Sequence, residues 1–189
     1  MGRQGLTKER VVTEAGRLID EVGLARLTLT ALADRVDVAA PSLYKHVDGL
    51  PGLRRDLAVL SVRELADGLA RNAVGVAGRD ALERVATAYR QFARARPGLY
   101  VASLWAPAPG DDEHEAASSR ALEVVHAVAA GYGLAGDDAI HAIRLIRSVL
   151  HGFVSLEAAN GFAMEQSTAV TFEHLVDSLD AALTNWEPR

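Results

Sequence analysis

Apolar residues recur along this chain at intervals of three and four, and no run of strict alternation suggests a sheet, so the pattern predicts an all-α fold. The first stripe, Val11, Val12, Ala15, Leu18, Ile19 and Val22, reads as one face of a helix that Thr7 caps and Gly23 ends. LTLTALADRVDVAAPSLYKHV, from Leu27 to Val47, follows, and its spacing describes two short helices joined by a tight turn. Ala33 is small enough for the two helices to cross closely. Asp37 stands where the chain must turn through a left-handed conformation, which Asp tolerates. Val38 and Leu43 bury the second helix against the first. Thr28 caps the first helix, and Pro41 fits the opening turn of the second, which runs from Pro41 to about Val47, where a missing N–H costs nothing.

A long helix then begins near residues 50–52 and carries Leu53, Leu57, Leu60, Leu65 and Leu69 until Gly75 and Gly78 break it. Asp80 is a cap for the next, whose positions Leu82, Val85, Ala86, Tyr89, Phe92 and Ala93 keep helical spacing until Pro97 and Gly98 stop it. A short segment, 99–105, leads into the loop Ala106-Pro107-Ala108-Pro109-Gly110, and a helix over 112–130 is closed by Gly131 and Gly133. From 138 to 159 apolar residues occupy almost every side, among them Ile140, Ile143, Ile146, Leu150, Phe153, Val154 and Leu156. The final helix, about 168–186, adds Phe172, Leu175, Val176, Leu179, Leu183 and Trp186. One apolar stripe faces a core, whereas two demand a second partner. A homodimer through the last two helices supplies that partner, and burial within a monomer is the other solution. The expected organisation is a three-helix helix-turn-helix unit at 1–48 joined to a larger helical domain at 49–189.

Charge bears on what the hairpin can do. The net charge is −5, but residues 1–60 hold 9 Lys and Arg against 8 Asp and Glu, while residues 61–189 hold 11 against 17. The N-terminal part is therefore near neutral, and DNA affinity must come from the placement of a few charges. There is no cysteine, so disulfides and thiolate metal sites are excluded. No apolar run follows the N-terminal charges, and no long uninterrupted apolar span is present, so the expectation is a soluble cytoplasmic protein with no membrane partner.

A helical hairpin inside a bundle and a DNA-reading hairpin share the same spacing. The surface of the second helix favours DNA: Ser42, Lys45 and His46 project polar groups from a segment that is apolar on its other face. Lys45 is one of only two lysines in the chain, the other being Lys8. The second helix is the one that would enter a major groove.

These residues resemble the tetracycline-repressor (TetR) family of bacterial transcription regulators. The resemblance is carried by Leu27-Thr28, Leu32-Ala33, Val38, Pro41, Leu43-Tyr44 and His46-Val47. Further on, the segment from Leu150 to Ala158 is similar to the C-terminal signature of a subgroup with a Trp-His-Gly-type ligand-binding domain, with Leu150 standing where that name has tryptophan. The resemblance implies an all-helical homodimer whose N-terminal helices bind a DNA operator and whose remaining helices bind a small-molecule effector and dimerise. Tyr44 and His46 would touch phosphates, Ala40, Ser42 and Lys45 would lie nearest base edges, Thr28 and Thr30 would lie near the backbone, and Pro41 belongs to the same DNA-binding set. Two departures stand out. The family commonly has glycine where this chain has Asp37, and lysine where it has Leu50. Arg54 or Arg55 would then replace the phosphate contact that Leu50 lacks.

Candidates for effector binding are Tyr89, Phe92, Tyr100, Trp105, His126, Arg144, Arg147 and His151. Tyr89 and Phe92 fit core packing equally, and His151 fits a buried, satisfied histidine. Arg144 and Arg147 share a helix face; if it lines a pocket they favour an anionic ligand, if it is buried they need acidic partners, with 111–115 as one source, and solvent exposure or a cross-dimer salt bridge fits at least as well. The six histidines form no metal-ligand spacing, no Gly-rich loop follows a strand, and no activated nucleophile is evident, so neither a cofactor, a metal nor catalysis is expected. The leading reading is a dimeric, ligand-responsive repressor. The reading from a different class is a helical protein–protein adaptor.

Overall fold

In the computed structural model, which describes residues 6–187, every regular element among the described residues is helical. The chain forms two compact units. The first comprises the residues up to Glu64 together with Ala95–Ala117, and the second Leu65–Arg94 together with the residues from Ser118 onward. This division departs from the expected boundary at residue 48.

In the first unit, α1 (Lys8–Val22) is opened by Thr7, whose hydroxyl accepts the Arg10 N–H at 3.2 Å, and ended by Gly23 at φ 84°. Its buried stripe is Val11, Val12, Ala15, Leu18 and Ile19. A single 3-10 turn, Leu24–Arg26, precedes α2 (Leu29–Arg35), and a 3-10 helix, Ala40–Lys45, follows it. The N-terminal part of α3 (Gly49–Ala73), the short α5 (Pro97–Ala102) and the first turns of α6 (Asp112–Ala130) complete the unit. α5 belongs to this unit through its packing on α1. Gly98 lies so close to α1 that a Cβ on it would stand 2.2 Å from the Ile19 carbonyl oxygen. Asp20 accepts the N–H groups of Gly98 and Leu99 at 2.9 and 3.1 Å, satisfying two of the open donors at the α5 N-terminus. Arg96 bridges Asp20 and Glu64, and the Ser61 hydroxyl donates to the Leu99 carbonyl.

The second unit contains the rest of α3 and α6 with α4 (Gly78–Ala95), α7 (Gly136–Ala158) and α8 (Thr168–Thr184). Asp80 sits in the first turn of α4 and not at its cap, because the helix already starts at Gly78. The core holds Leu82, Val85, Ile146, Leu150, Phe153, Phe172, Val176 and Leu183. Arg90 lies over the rings of Phe153 and Phe172, 5.1 and 4.7 Å from their centroids, while both ends of its guanidinium grip Glu157. Arg79 pairs with Asp177 at 2.6 Å and Asp180 at 3.2 Å; the Tyr132 hydroxyl donates to Asp180, and burial with that carboxylate pushes its pKa up. By length and mean hydropathy alone α7 is long and apolar enough to cross a membrane, but Arg144 and Arg147 interrupt it and stand exposed near its middle.

Candidate nucleic-acid interface

The hairpin is built by local chemistry. Thr28 Oγ1 accepts the Ala31 N–H at 3.1 Å, so the hydroxyl serves as the α2 cap. At the other end, Asp37 adopts φ 56° and the Val38 N–H returns to the Ala33 carbonyl at 3.1 Å, the left-handed exit that the sequence requires. Leu32 and Ala33 are buried. Arg35 fixes α2 to α1 by donating to Glu14 at 3.1 Å and to Glu21 at 2.8 Å; these bonds raise the guanidinium pKa and lower that of Glu21. No sequence signal had marked Arg35, because its partners lie 21 and 14 residues away.

The second helix of the hairpin is wound more tightly than expected. It is a 3-10 helix over Ala40–Lys45, with Ser42 N–H bonded to Ala39 O and His46 N–H to Leu43 O, both at 2.8 Å. At three residues per turn, side chains three apart eclipse. Three columns result, and their burial differs. Leu43 is fully buried between half-buried Ala40 and His46; Pro41 and Tyr44 are exposed, Tyr44 at 63%; half-buried Ser42 stands in line with exposed Lys45. One column therefore anchors the helix and two face outward. The winding changes which residues stand together: Tyr44 pairs with Pro41, and Lys45 with Ser42. Thr30 is exposed on α2.

Arg54 and Arg55, at the start of α3, have different surroundings. Arg54 is exposed and makes no ion pair among the described residues. Arg55 is held by three carboxylates: Asp111, which takes both its Nε and Nη2 donors, Glu113 at 2.6 Å and Asp56 at 3.1 Å. The bonds to Arg55 pull Asp111 down to about 2 and lower Glu113, and they push the guanidinium pKa up. A guanidinium so engaged is not available to a phosphate, which corrects the expectation for Arg55 and leaves Arg54. The same contacts remove Asp111 and Glu113 as partners for Arg144 and Arg147.

The eight effector candidates are divided between the two units. Tyr100, buried, and Trp105, 38% exposed, belong to the first unit. Tyr89 is buried in the second unit, where Phe92 and His151 are half-buried, His151 with the Ser155 hydroxyl 3.4 Å from its ring. His126, Arg144 and Arg147 do come together. They line a groove of about 620 Å³ between α6 and α7, beside Leu122, Ile140 and Ile143, which were not among the effector candidates. Among the described residues no cluster of His, Asp or Glu is placed to hold a metal.

Residues 82–179 match the family described as tetracyclin repressor-like, C-terminal domain. An HTH-type transcriptional regulator of Mycobacterium tuberculosis is 38% identical over 179 residues, covering 94% of this chain and 82% of that protein. The HTH-type transcriptional regulator YobS of Bacillus subtilis is 36% identical over 165 residues, covering 87% and 85%. A crystal structure of a TetR variant from Acinetobacter baumannii in complex with minocycline has the same fold, with a TM-score of 0.72 at 24% identity over 98% of this chain and 100% of that one. From the capped, left-turning hairpin at its N-terminus to the matched helices of its C-terminal domain, the chain belongs to the tetracycline-repressor family of DNA-binding transcriptional regulators.

Proposed function

We infer that this regulator is a homodimeric repressor, released from a roughly palindromic operator when a small molecule binds its second unit. The observation that carries the DNA half of this reading is the 3-10 helix, whose two outward columns present Tyr44 and Lys45 beyond a fully buried Leu43. Tyr44 would contact phosphate, and Ser42 and Lys45 would lie nearest base edges. Half-buried Ala40 and His46 would reach base edges and phosphate only by the part of each left open beside Leu43, and Arg54 would supply the phosphate contact absent at Leu50. Names of the relatives as transcriptional regulators do not favour the adaptor reading.

Dimerisation through α7 and α8 is supported by what these helices leave uncovered. Leu156 on α7 is 51% exposed, and Val170 on α8 is 49% exposed. A Cβ on Gly152 would meet nothing within 4 Å, so this turn of α7 can receive a closely packed helix. Two reading heads held by a two-fold interface recognise two half-sites, and a ligand that binds one conformation better shifts the population between them.

The test starts from a gel shift with genomic fragments to isolate the operator. Combined Tyr44→Ala and Lys45→Ala substitution is expected to abolish the shift with helical content unchanged. Gly152→Glu is expected to give a folded monomer in sedimentation and to weaken the shift. Absence of any shift at low salt would overturn the DNA reading, and a Gly152→Glu dimer of unchanged affinity would overturn the interface.

A further inference from the structure

The groove between α6 and α7 joins apolar walls to cations that form no ion pair among the described residues. Leu122 on α6 and Ile140 on α7 are 48% and 45% exposed, and with Ile143 they leave a strip of apolar surface open. Helical spacing sets the two sides in register: 119, 122, 123, 126 and 127 on α6 face 140, 143, 144 and 147 on α7. At about 620 Å³ the space lies within the range of small-molecule sites.

The charges are what define the ligand. Three arginines of this unit are committed to carboxylates, Arg79 to Asp177, Arg90 to Glu157 and Arg120 to Asp67, whereas Arg84 is exposed away from the groove. Arg144 and Arg147 make no ion pair among the described residues and are exposed at the groove with His126. They outnumber the one carboxylate on the rim, Glu123. A guanidinium presents a planar fork that matches a carboxylate, and an apolar floor beneath it selects for a hydrocarbon body. A neutral ligand leaves the arginines unanswered, and a cation is repelled by them.

We propose that the α6–α7 groove is a binding site for amphipathic carboxylates, with the apolar body against Leu122, Ile140 and Ile143 and the carboxylate held by Arg144 and Arg147. The groove is thereby the effector site, a role that rests on the ligand-responsive reading above. Binding itself does not depend on that reading and is measured on the free protein.

The experiment is calorimetric titration of the full chain with decanoate, kept below its micellar concentration, and with 1-decanol and decyltrimethylammonium. Decanoate is expected to saturate at one per chain, 1-decanol to bind at least about tenfold more weakly, and the cation not to bind, because a charge-assisted pair is worth at least a tenfold change in affinity. Arg144→Gln with Arg147→Gln is expected to lower decanoate affinity by about tenfold or more and to leave that of 1-decanol unchanged. Arg84→Gln, at an exposed arginine elsewhere in the unit, is expected to change neither. Equal binding of decanoate and 1-decanol, an unaffected double variant, an equal loss in Arg84→Gln, or no saturation overturns the site. Decanoate is also expected to release the operator complex of the native protein and not that of the double variant. Arginine-dependent binding without release overturns the effector role. A failure to find any operator counts against the repressor reading, while the calorimetry still decides the site.

Discussion

Arg54 and Arg55 are neighbours that the structure separates, and substituting each by glutamine isolates what each does. Arg54 is exposed and without an ion pair, so its charge is available to a phosphate. Each phosphate neutralised contributes about 0.9 to the slope of log affinity against log salt. A dimer loses two such contacts in Arg54→Gln, so the slope falls by about 1.8. Between 50 and 200 mM salt the affinity of the variant then declines by about tenfold less than that of the native protein. Stability is untouched, because no intramolecular partner is lost.

Arg55→Gln has the opposite signature. Its guanidinium is 34% exposed and its closest carboxylate, Asp111, only 12%, so removing it leaves three acids crowded without a counter-charge. A fully buried pair broken in this way costs about 3–5 kcal/mol and an exposed one under about 1, which places this half-buried cluster at about 1–2 kcal/mol. Fluorescence anisotropy on a labelled operator across the salt range, with urea denaturation of each variant, reads both quantities. A salt slope that falls in Arg55→Gln with stability intact, or one unchanged in Arg54→Gln, would refute the assignment.

Two further outcomes follow from the first unit. Gly98→Ala places a Cβ against the Ile19 carbonyl, and since backbone on both sides must move, thermal unfolding is expected to show a loss of about 1–3 kcal/mol; an unchanged melting temperature would show that α5 is not seated this closely on α1. Asp111 has a folded-state pKa of about 2 against its ordinary 3.8, so its bond to Arg55 stabilises the fold above pH 3.8 and is lost as the pH falls toward about 2. Urea midpoints measured through that window are expected to fall less steeply in Asp111→Asn than in the native chain, and parallel profiles would exclude Asp111 as a contributor.

The parts of this fold that can be read from sequence are those whose causes are local. Thr7 and Thr28 cap the helices they precede, Gly23 ends the first, and Asp37 takes the left-handed turn, each within four residues of its partner. The seating of α5 has no such local cause. Pro97-Gly98 reads as a stop signal, and only the fold shows that the same glycine makes room for Ile19, 79 residues earlier, while Asp20 satisfies its amide. The 3-10 winding of the second hairpin helix falls between these cases. Over six residues a period of 3.0 cannot be told from 3.6, and Pro41 at the opening turn is compatible with both.

Charge is where sequence reading and structure differ most usefully. The near-neutral balance of residues 1–60 suggests a poor DNA surface, but a net count sums cations that are already spent. Lys8 is paired with Asp56, Arg17 with Glu14, Arg35 with Glu14 and Glu21, and Arg55 with three acids. Those pairs cancel within the protein and present little field to a ligand outside it. Lys45 and Arg54 carry no such partner among the described residues, and one lies on the 3-10 helix and the other on the first turns of α3. With Lys8, Arg17, Arg35 and Arg55 already paired, each reading head has few cations left for phosphates, hence a shallow salt dependence and weak binding to random DNA. Discrimination must then come from the outward columns of the 3-10 helix, where Ser42 and Lys45 stand in one line and Pro41 and Tyr44 in the next.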